Sequence, residues 1–238
     1  MSYQTLGYAF VGGVLPALVW LYFLLKEDER CPEPRPLILV AFLSGMLAVA
    51  FALPLEHVSK LLMGGSDLSV VIAWATVEET LKYAIVALTV LWRRAVDESV
   101  DLVIYMITAA LGFAALENVL FFFQALTAHG FWGSDGALAT GNLRFVGASL
   151  LHIIASAAIG FALAFGFRAH RAVRALYAAA GLILAIALHS AFNFLIITGD
   201  GSHTLFAFFI VWMGAVAFFA IFEILKYFRY RNVPKNTC

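Results

Sequence analysis

Residues 68–92 read LSVVIAWATVEETLKYAIVALTVLW, an apolar run with charged residues near its middle. A stretch of about 20 mainly apolar residues is long enough for a helix to cross the ~30 Å hydrocarbon core of a membrane. Glu78, Glu79 and Lys82 lie inside this stretch, where an unpartnered charge costs about 2.5–3.5 kcal/mol on insertion scales. The segment therefore predicts a membrane helix whose polar side faces other helices.

The composition of the whole chain also indicates a membrane protein. Of its 238 residues, 63% are hydrophobic and only 13% are charged, too little polar surface for a soluble protein of this size. The formal net charge is zero, so no basic field indicates a nucleic-acid partner. The lipid bilayer is the environment that fits this composition.

On both sides of residues 68–92, similar apolar segments predict an all-α, polytopic bundle of seven transmembrane helices. The bundle is predicted to form a single domain over residues 1–238. Each isolated span must be a helix, because backbone polar groups cannot remain unpaired in lipid. The spans are Thr5–Leu25, Pro36–Leu53, Leu68–Trp92, Leu102–Leu126, Leu143–Phe167, Val173–Thr198 and His203–Phe228. Between them, Leu55–Met63 is predicted as a short amphipathic turn in the membrane interface, and the glycine-rich segment Ala128–Asn142 as a mobile loop.

The basic residues predict the orientation of the bundle. All but three of the 15 Lys and Arg residues lie in alternate connections or in the C-terminal tail; the exceptions are Lys60, Lys82 and Arg144. Since basic residues concentrate on the cytoplasmic side, the C-terminus is predicted to be cytoplasmic and the N-terminus outside.

Ionisable residues on four consecutive spans are predicted to lie at one depth. Glu78, Glu117, His152 and His189 are each about nine or ten residues from the outer end of their own span, or ~14 Å deep at the helical rise. Charged and imidazole groups within a membrane generally mark functional sites. We therefore expect one site on the third to sixth spans, at about residues 68–198.

Spacing along each helix adds further candidate residues to this site. Lys82 follows Glu78 by four residues and shares its helix face, whereas Glu79 points roughly 100° away. Ser156 lies one turn after His152, Asn193 lies one turn after His189, and Asn118 follows Glu117 directly. These residues complete the predicted site.

The residue types at this depth favour hydrolysis. Two histidines and a carboxylate are the usual ligands of a catalytic zinc, so Glu117, His152 and His189 are predicted as a zinc site with water in the fourth position. A carboxylate beside a histidine can also activate water without a metal. Both chemistries remain open from the residues alone.

Four motifs resemble a known family. Glu78-Glu79-x-x-Lys82, Glu117-Asn118-x-x-x-Phe122, His152-x-x-x-Ser156 and His189-x-x-x-Asn193 follow each other on successive spans and are similar to those of the PrsW family. That resemblance implies a bacterial intramembrane metalloprotease of the cell membrane, distantly similar to the type II CAAX-prenyl endopeptidase (Abi) superfamily, in part of which a glutamate activates water without an essential metal. It implies a membrane-anchored protein substrate, typically an anti-sigma factor. It further implies that Glu78 and Glu79 are catalytic, that His152 is essential, and that His189 and Asn193 line the site.

Two other functions are compatible with the same residues. Buried Glu, Lys and His residues also form the relays of proton-coupled transporters and ion pathways. A binding scaffold is also compatible, with His152 and His189 as axial haem ligands or with the cluster holding a structural metal. The sequence contains no signal for an oligomeric state.

Overall fold

The computed structural model describes residues 3–28, 31–63, 67–132, 137–198 and 201–231, and this part of the chain is all-helical. Two short elements, a helix at Ala137–Leu143 and a π-helical turn at Arg144–Ala148, precede the helix Ser149–Phe165. The α-helices are α1 (Tyr3–Glu27), α2 (Arg35–Met63), α3 (Asp67–Thr89), α4 (Ser99–His129), α5 (Ala137–Leu143), α6 (Ser149–Phe165), α7 (Arg171–Thr198) and α8 (Gly201–Tyr230).

Six helical segments within the described residues are long and apolar enough to cross a membrane: α1, α2, α4, α7, α8, and the π-turn continued by α6. The helix α3 falls outside this set because Glu78, Glu79 and Lys82 lie near its middle. These charged groups face the interior of the bundle, whereas Leu68, Ile72 and Leu88 on the same helix are exposed. An exterior of apolar side chains is what lipid requires of a spanning helix.

The helix α4 forms the centre of the bundle. Every residue from Val100 to Ala115 is buried, and α1, α2 and α6 pack around it. A helix that is apolar on all sides is stable only when it is surrounded, which explains why the longest helix occupies the core. The helix α7 packs against α6 and α3, and α8 covers the outside of α6 and α7.

Glycines allow α2 and α4 to approach each other closely. A Cβ atom at Gly45 would overlap the backbone carbonyl of Ala109, and one at Gly112 would overlap the carbonyl of Phe42. Small residues at helix crossings allow this contact, since apolar attraction alone does not drive helices together in lipid. This crossing fixes α2 against the helix that carries Glu117.

Two predicted connections differ from the structure. The segment Leu55–Met63 is not an interfacial turn, because α2 continues through Pro54 to Met63. Of the predicted loop Ala128–Asn142, the first two residues belong to α4 and residues 137–142 belong to α5, while residues 133–136 lie outside the described residues. Apolar composition underestimates such helix ends, because a helix carries polar residues once it leaves the hydrocarbon.

The end of the bundle that contains the α1–α2 connection holds several buried acidic groups. The carboxylate of Asp28 accepts a hydrogen bond from the backbone N–H of Glu33 at 3.1 Å, and the hydroxyl of Tyr105 donates to the carboxylate of Glu33. Burial raises the pKa of Asp28 to about 7, and burial also raises the pKa of Glu33. Lys226 opposes the shift at Asp28, while the nearby Asp101 adds to it.

Replacing Asp28 with Asn is expected to reduce the pH dependence of stability. The folded protein keeps the Asp28 proton up to about pH 7, whereas an exposed aspartate ionises near pH 3.8, so stability falls as pH rises between these values. Asp28→Asn retains the acceptor oxygen but cannot ionise. It should therefore raise the melting temperature at pH 7.5 by about 2–4 °C for each kcal/mol of stability that ionisation of Asp28 costs the wild type. Thermal unfolding in detergent at pH 5.0 and pH 7.5 measures both effects. A melting temperature of Asp28→Asn that falls with pH as steeply as the wild type would contradict this account.

Candidate active site

Four helices bring the predicted polar residues into one cluster. The helix α3 supplies Glu78, Glu79 and Lys82, α4 supplies Glu117 and Asn118, α6 supplies His152 and Ser156, and α7 supplies His189. Most of these side chains are buried, and those of Glu79, Lys82 and Ser156 have no exposed surface. The cluster is therefore enclosed by protein rather than by lipid.

Lys82 is at the centre of the cluster. Its Nζ atom donates to Glu79 Oε1 at 2.8 Å, to His152 Nδ1 at 2.7 Å and, more weakly, to Glu78 Oε2 at 3.4 Å. An ammonium group has three hydrogens, so all of them have acceptors. The ring of Phe113 lies 4.2 Å from the same nitrogen and closes one side. The closest acidic partner of Lys82 is thus Glu79, three residues away, and not Glu78.

The hydrogen bonds of His152 define which ring nitrogen carries its proton. Nε2 lies 2.9 Å from Glu117 Oε2, and Arg144 donates to that same oxygen at 2.6 Å. A carboxylate paired with arginine is ionised and can only accept, so Nε2 carries the hydrogen. In the neutral ring Nδ1 is then an acceptor, which matches its contact with Lys82.

His189 is oriented by Glu79 in the same way. Nδ1 of His189 donates to Glu79 Oε1 at 2.8 Å, and Ser156 donates to Glu79 Oε2 at 3.3 Å. Because Lys82 also donates to Glu79, this carboxylate has a donor on each oxygen. Both oxygens of Glu79 thus accept hydrogen bonds, and the remaining nitrogen of His189, Nε2, lies 3.9 Å from Glu78 Oε2.

Glu78 is the carboxylate that remains available. Its Oε2 atom lies 4.0 Å from His152 Nδ1 and 3.9 Å from His189 Nε2, beyond hydrogen-bond distance of either. Its side chain retains 8% of its exposure, whereas that of Glu79 has none. Two histidine nitrogens and one carboxylate oxygen thus converge on a common point.

The donor set around this point could hold a metal ion. Glu78, Glu79, His152 and His189 each offer a ligand atom, and these atoms all lie within 4.8 Å of one another. Metal-binding histidines almost always donate their second N–H to a carboxylate or carbonyl, as His152 does to Glu117 and His189 does to Glu79. The ammonium of Lys82 contacts the same His152 nitrogen, so a metal would have to displace it from that atom.

Glu117 and Asn118 lie on the far side of His152 from this point. Glu117 contacts the outer nitrogen of His152 and lies outside the group of candidate ligand atoms, and Asn118 Nδ2 donates to Ser149 Oγ at 3.2 Å. Asn193 is half-buried on α7 and makes no hydrogen bond to these residues in the described part of the chain. These three residues lie at the edge of the cluster and not at its centre.

Sequence reasoning missed Arg144 as a member of this site. Its guanidinium bonds to both Glu117 and Asn118 and lies 4.0 Å from the ring of Phe121. An arginine at the edge of a predicted span is typical of the membrane interface, where its charged head reaches toward water. No spacing in the sequence indicates that this side chain turns inward instead.

The fold and the cluster define a polytopic membrane protein with a buried Glu–Lys–His site. The sequence model of the PrsW family, described as intramembrane metalloproteases, matches residues 33–222 and includes every residue of that site. The chain therefore belongs to the PrsW family of intramembrane proteases and is a multi-pass bacterial membrane protein. This match confirms the resemblance found from the four motifs.

Several curated relatives support the same assignment. "Protease PrsW" of Clostridioides difficile (strain 630) is 26% identical over 194 residues, which cover 79% of this chain and 78% of the relative. "Protease PrsW" of Geobacillus kaustophilus (strain HTA426) is 26% identical and covers 79% of each chain. "Protease PrsW" of Bacillus subtilis (strain 168) is 28% identical over 121 residues, 50% of this chain and 56% of the relative. No solved structure matches the chain.

Replacing Lys82 with Met is expected to strengthen zinc binding. The ammonium occupies the lone pair of His152 Nδ1 and repels a cation, so its removal should tighten zinc binding by about 10-fold or more. Competition with a zinc-chelating dye, on purified protein in detergent, measures the affinity. The control is Lys226→Met, which removes an ion-paired lysine at the end of α8, where it contacts Glu27 and Glu223. If circular dichroism shows that Lys82→Met keeps its helices, zinc affinity that is weakened or unchanged would contradict competition between the ammonium and zinc for His152 Nδ1.

Proposed function

We infer that this protein is an intramembrane endopeptidase that hydrolyses a membrane-anchored protein substrate at the buried Glu–His cluster. The observation that carries this proposal is the convergence of Glu78 Oε2, His152 Nδ1 and His189 Nε2 in a chain of the PrsW family. By resemblance to that family, the substrate class is a regulator of the anti-sigma-factor type. Family membership supports the peptidase activity, and the geometry supports its location in the chain.

The proposed topology has seven spans within a single domain over residues 1–238, located in the bacterial inner or plasma membrane. The helix α3 is added to the six apolar spans to make seven. Its 23 residues reach roughly 34 Å at the helical rise, and its charges face α4, α6 and α7. The distribution of basic residues supports an outer N-terminus and a cytoplasmic C-terminus. In this topology the cluster lies about midway through the bilayer, on helices drawn from residues 68–198.

Glu78 is proposed as the carboxylate that contacts the reacting water. Glu79 is occupied by Lys82, His189 and Ser156, whereas the hydrogen bonding of Glu78 within the described residues is one long bond, to Lys82 at 3.4 Å. In a metal-free reaction, Glu78 would act as a general base that takes a proton from the water attacking the peptide carbonyl and passes it to the leaving amine. Glu79 is proposed to hold His189 in place and to balance the charge of Lys82.

In a metal-assisted reaction, Glu78 would instead be a ligand: zinc is the proposed metal, held by Glu78, His152 and His189. Glu78 replaces Glu117 in the ligand set predicted from the sequence, because Glu117 contacts the outer nitrogen of His152. Bound there, zinc would supply Lewis-acid polarisation of the scissile carbonyl and a lower pKa of the attacking water. Glu79 and Glu117 would keep the two imidazole rings turned toward it.

Lys82 and Asn193 are proposed to act on the oxygen of the scissile carbonyl. Negative charge develops on this oxygen during hydrolysis, and hydrogen-bond donors or positive charges held nearby lower the barrier. Lys82 provides a positive charge beside Glu78, and Asn193 lies one helical turn from His189. Ser156 and Asn118 support Glu79 and Arg144 through hydrogen bonds.

The two other functions considered from the sequence differ in their fit. The rings of His152 and His189 meet edge to face with centroids 5.2 Å apart, which leaves no space for a porphyrin between them. A proton-coupled transporter would use the same hydrogen-bonded chain of ionisable groups, but family membership favours the protease. Proton flux through liposomes that contain the protein tests that alternative separately.

Glu78→Gln and His152→Ala are expected to reduce cleavage by about 10²–10⁴-fold, the range for losing one acid–base group. The assay reconstitutes purified protein in liposomes with single-span bacterial membrane proteins tagged at both ends, and immunoblots detect the fragments. Circular dichroism verifies that each variant retains its helices.

The matched control is Glu223→Gln, the same change at an exposed carboxylate near the end of α8. This variant should cleave at the wild-type rate. Fragments that appear at the wild-type rate with both Glu78→Gln and His152→Ala would overturn the assignment of the site.

A further inference from the structure

Arg144 begins the π-helical turn that leads into α6. The backbone N–H of Ser149 donates to the carbonyl of Arg144, a bond that spans five residues instead of the four of an α-helix. Single π-turns inside helices occur frequently at functional sites. This turn directly precedes the segment of α6 that carries His152 and Ser156.

The π-turn places Arg144 and Ser149 on the same side of their helix. Residues five apart in a regular α-helix are rotated by roughly 140° from each other, whereas the wider turn brings them into register. Both residues contact Asn118: Arg144 Nε donates to the amide oxygen, and the amide nitrogen donates to Ser149 Oγ. Asn118 thus joins the two ends of the π-turn and holds the arginine toward α4.

Arg144 and His152 share one oxygen of Glu117. The guanidinium donates to Glu117 Oε2 at 2.6 Å, and His152 Nε2 lies 2.9 Å from the same atom. The ring of Phe121 lies 4.0 Å from the guanidinium carbon and restricts its movement. Asn118 and Phe121 restrain the guanidinium of Arg144, and the guanidinium in turn restrains the carboxylate of Glu117.

We propose that Arg144 is a positioning residue of the active site, acting through Glu117 to hold the His152 ring with Nδ1 directed at Glu78 and Lys82. Without the guanidinium, Glu117 loses its charged partner and the restraint on its side chain. The His152 ring is then free to turn its ligand nitrogen away from Glu78. The effect on cleavage rests on the proposed function, whereas the effect on the ring does not.

The experiment combines a mutant cycle with a direct view of the imidazole. Full-length wild type, Arg144→Met, Glu117→Gln and the double variant are labelled with ¹⁵N-histidine, and the His152 signals are assigned by their loss in His152→Ala. The imidazole ¹⁵N shifts report which nitrogen carries the proton and how strongly each is hydrogen-bonded. The same proteins are assayed for kcat and KM on a cleaved tagged substrate.

The expected result is a change in the His152 signals of Arg144→Met, with kcat reduced by about 10- to 100-fold, the usual effect of losing a group that orients a ligand. KM should be unchanged, and Arg144→Lys should recover part of the activity. If Arg144 acts only through Glu117, the double variant should resemble Glu117→Gln alone. The control is Arg93→Met, which removes an exposed arginine that lies over the ring of Trp92 and should change neither readout.

Two results would overturn the proposal. His152 signals unchanged in Arg144→Met would show that the arginine does not position the ring. Fold losses in kcat that multiply in the double variant would show that Arg144 acts independently of Glu117. If Arg144→Met does not fold, the double variant, which leaves no unpaired charge, is compared with Glu117→Gln by the same criteria. If the wild type cleaves no substrate, the ¹⁵N shifts still decide the positioning role, so the two proposals fail separately.

Discussion

The structure depends on one buried cation, the ammonium of Lys82. Its contacts with Glu79, Glu78 and His152 join α3 to α6 at a point with no access to solvent. A charge in such a place is tolerated only when its partners satisfy it, and removal of one partner of a buried pair typically costs about 3–5 kcal/mol. The same contacts that make α3 compatible with a membrane interior therefore assemble the polar cluster. Stability and site geometry are inseparable at this residue.

The remaining site residues extend from that cation in two directions. Glu79 leads to His189 on α7, and His152 leads through Glu117 to Arg144 at the start of the π-turn. Each histidine is held by a carboxylate on one nitrogen and presents the other to Glu78. Two of the three glutamates, Glu117 and Glu79, thus orient the rings, and the third, Glu78, lies 3.9–4.0 Å from the nitrogens that the rings present.

Much of the architecture could be predicted from the sequence because lipid imposes simple rules. The all-helical class and the PrsW family are confirmed by the structure and by the family match. The matching depths of Glu78, His152 and His189 followed from counting residues along antiparallel helices, and the structure brings these three side chains together. The ends of the helices could be predicted less well from the sequence, as the continuation of α2 past Pro54 shows.

Rotation about the helix axes and the reach of long side chains could not be read from spacing. Lys82 contacts Glu79 more closely than Glu78, although both spacings permit an ion pair. Arg144 begins the π-turn before α6 and reaches inward to Glu117, and nothing in its local sequence indicates that turn. The choice between Glu78 and Glu117 at the centre likewise required the hydrogen bonds of His152.

Diffraction from zinc-loaded crystals, with data collected on both sides of the zinc absorption edge, tests the central claim most directly. The account predicts one anomalous peak within bonding distance of Glu78, His152 Nδ1 and His189 Nε2, with the Lys82 ammonium displaced from His152. A peak bound by Glu117, or zinc located elsewhere while Lys82 still contacts His152, would contradict it.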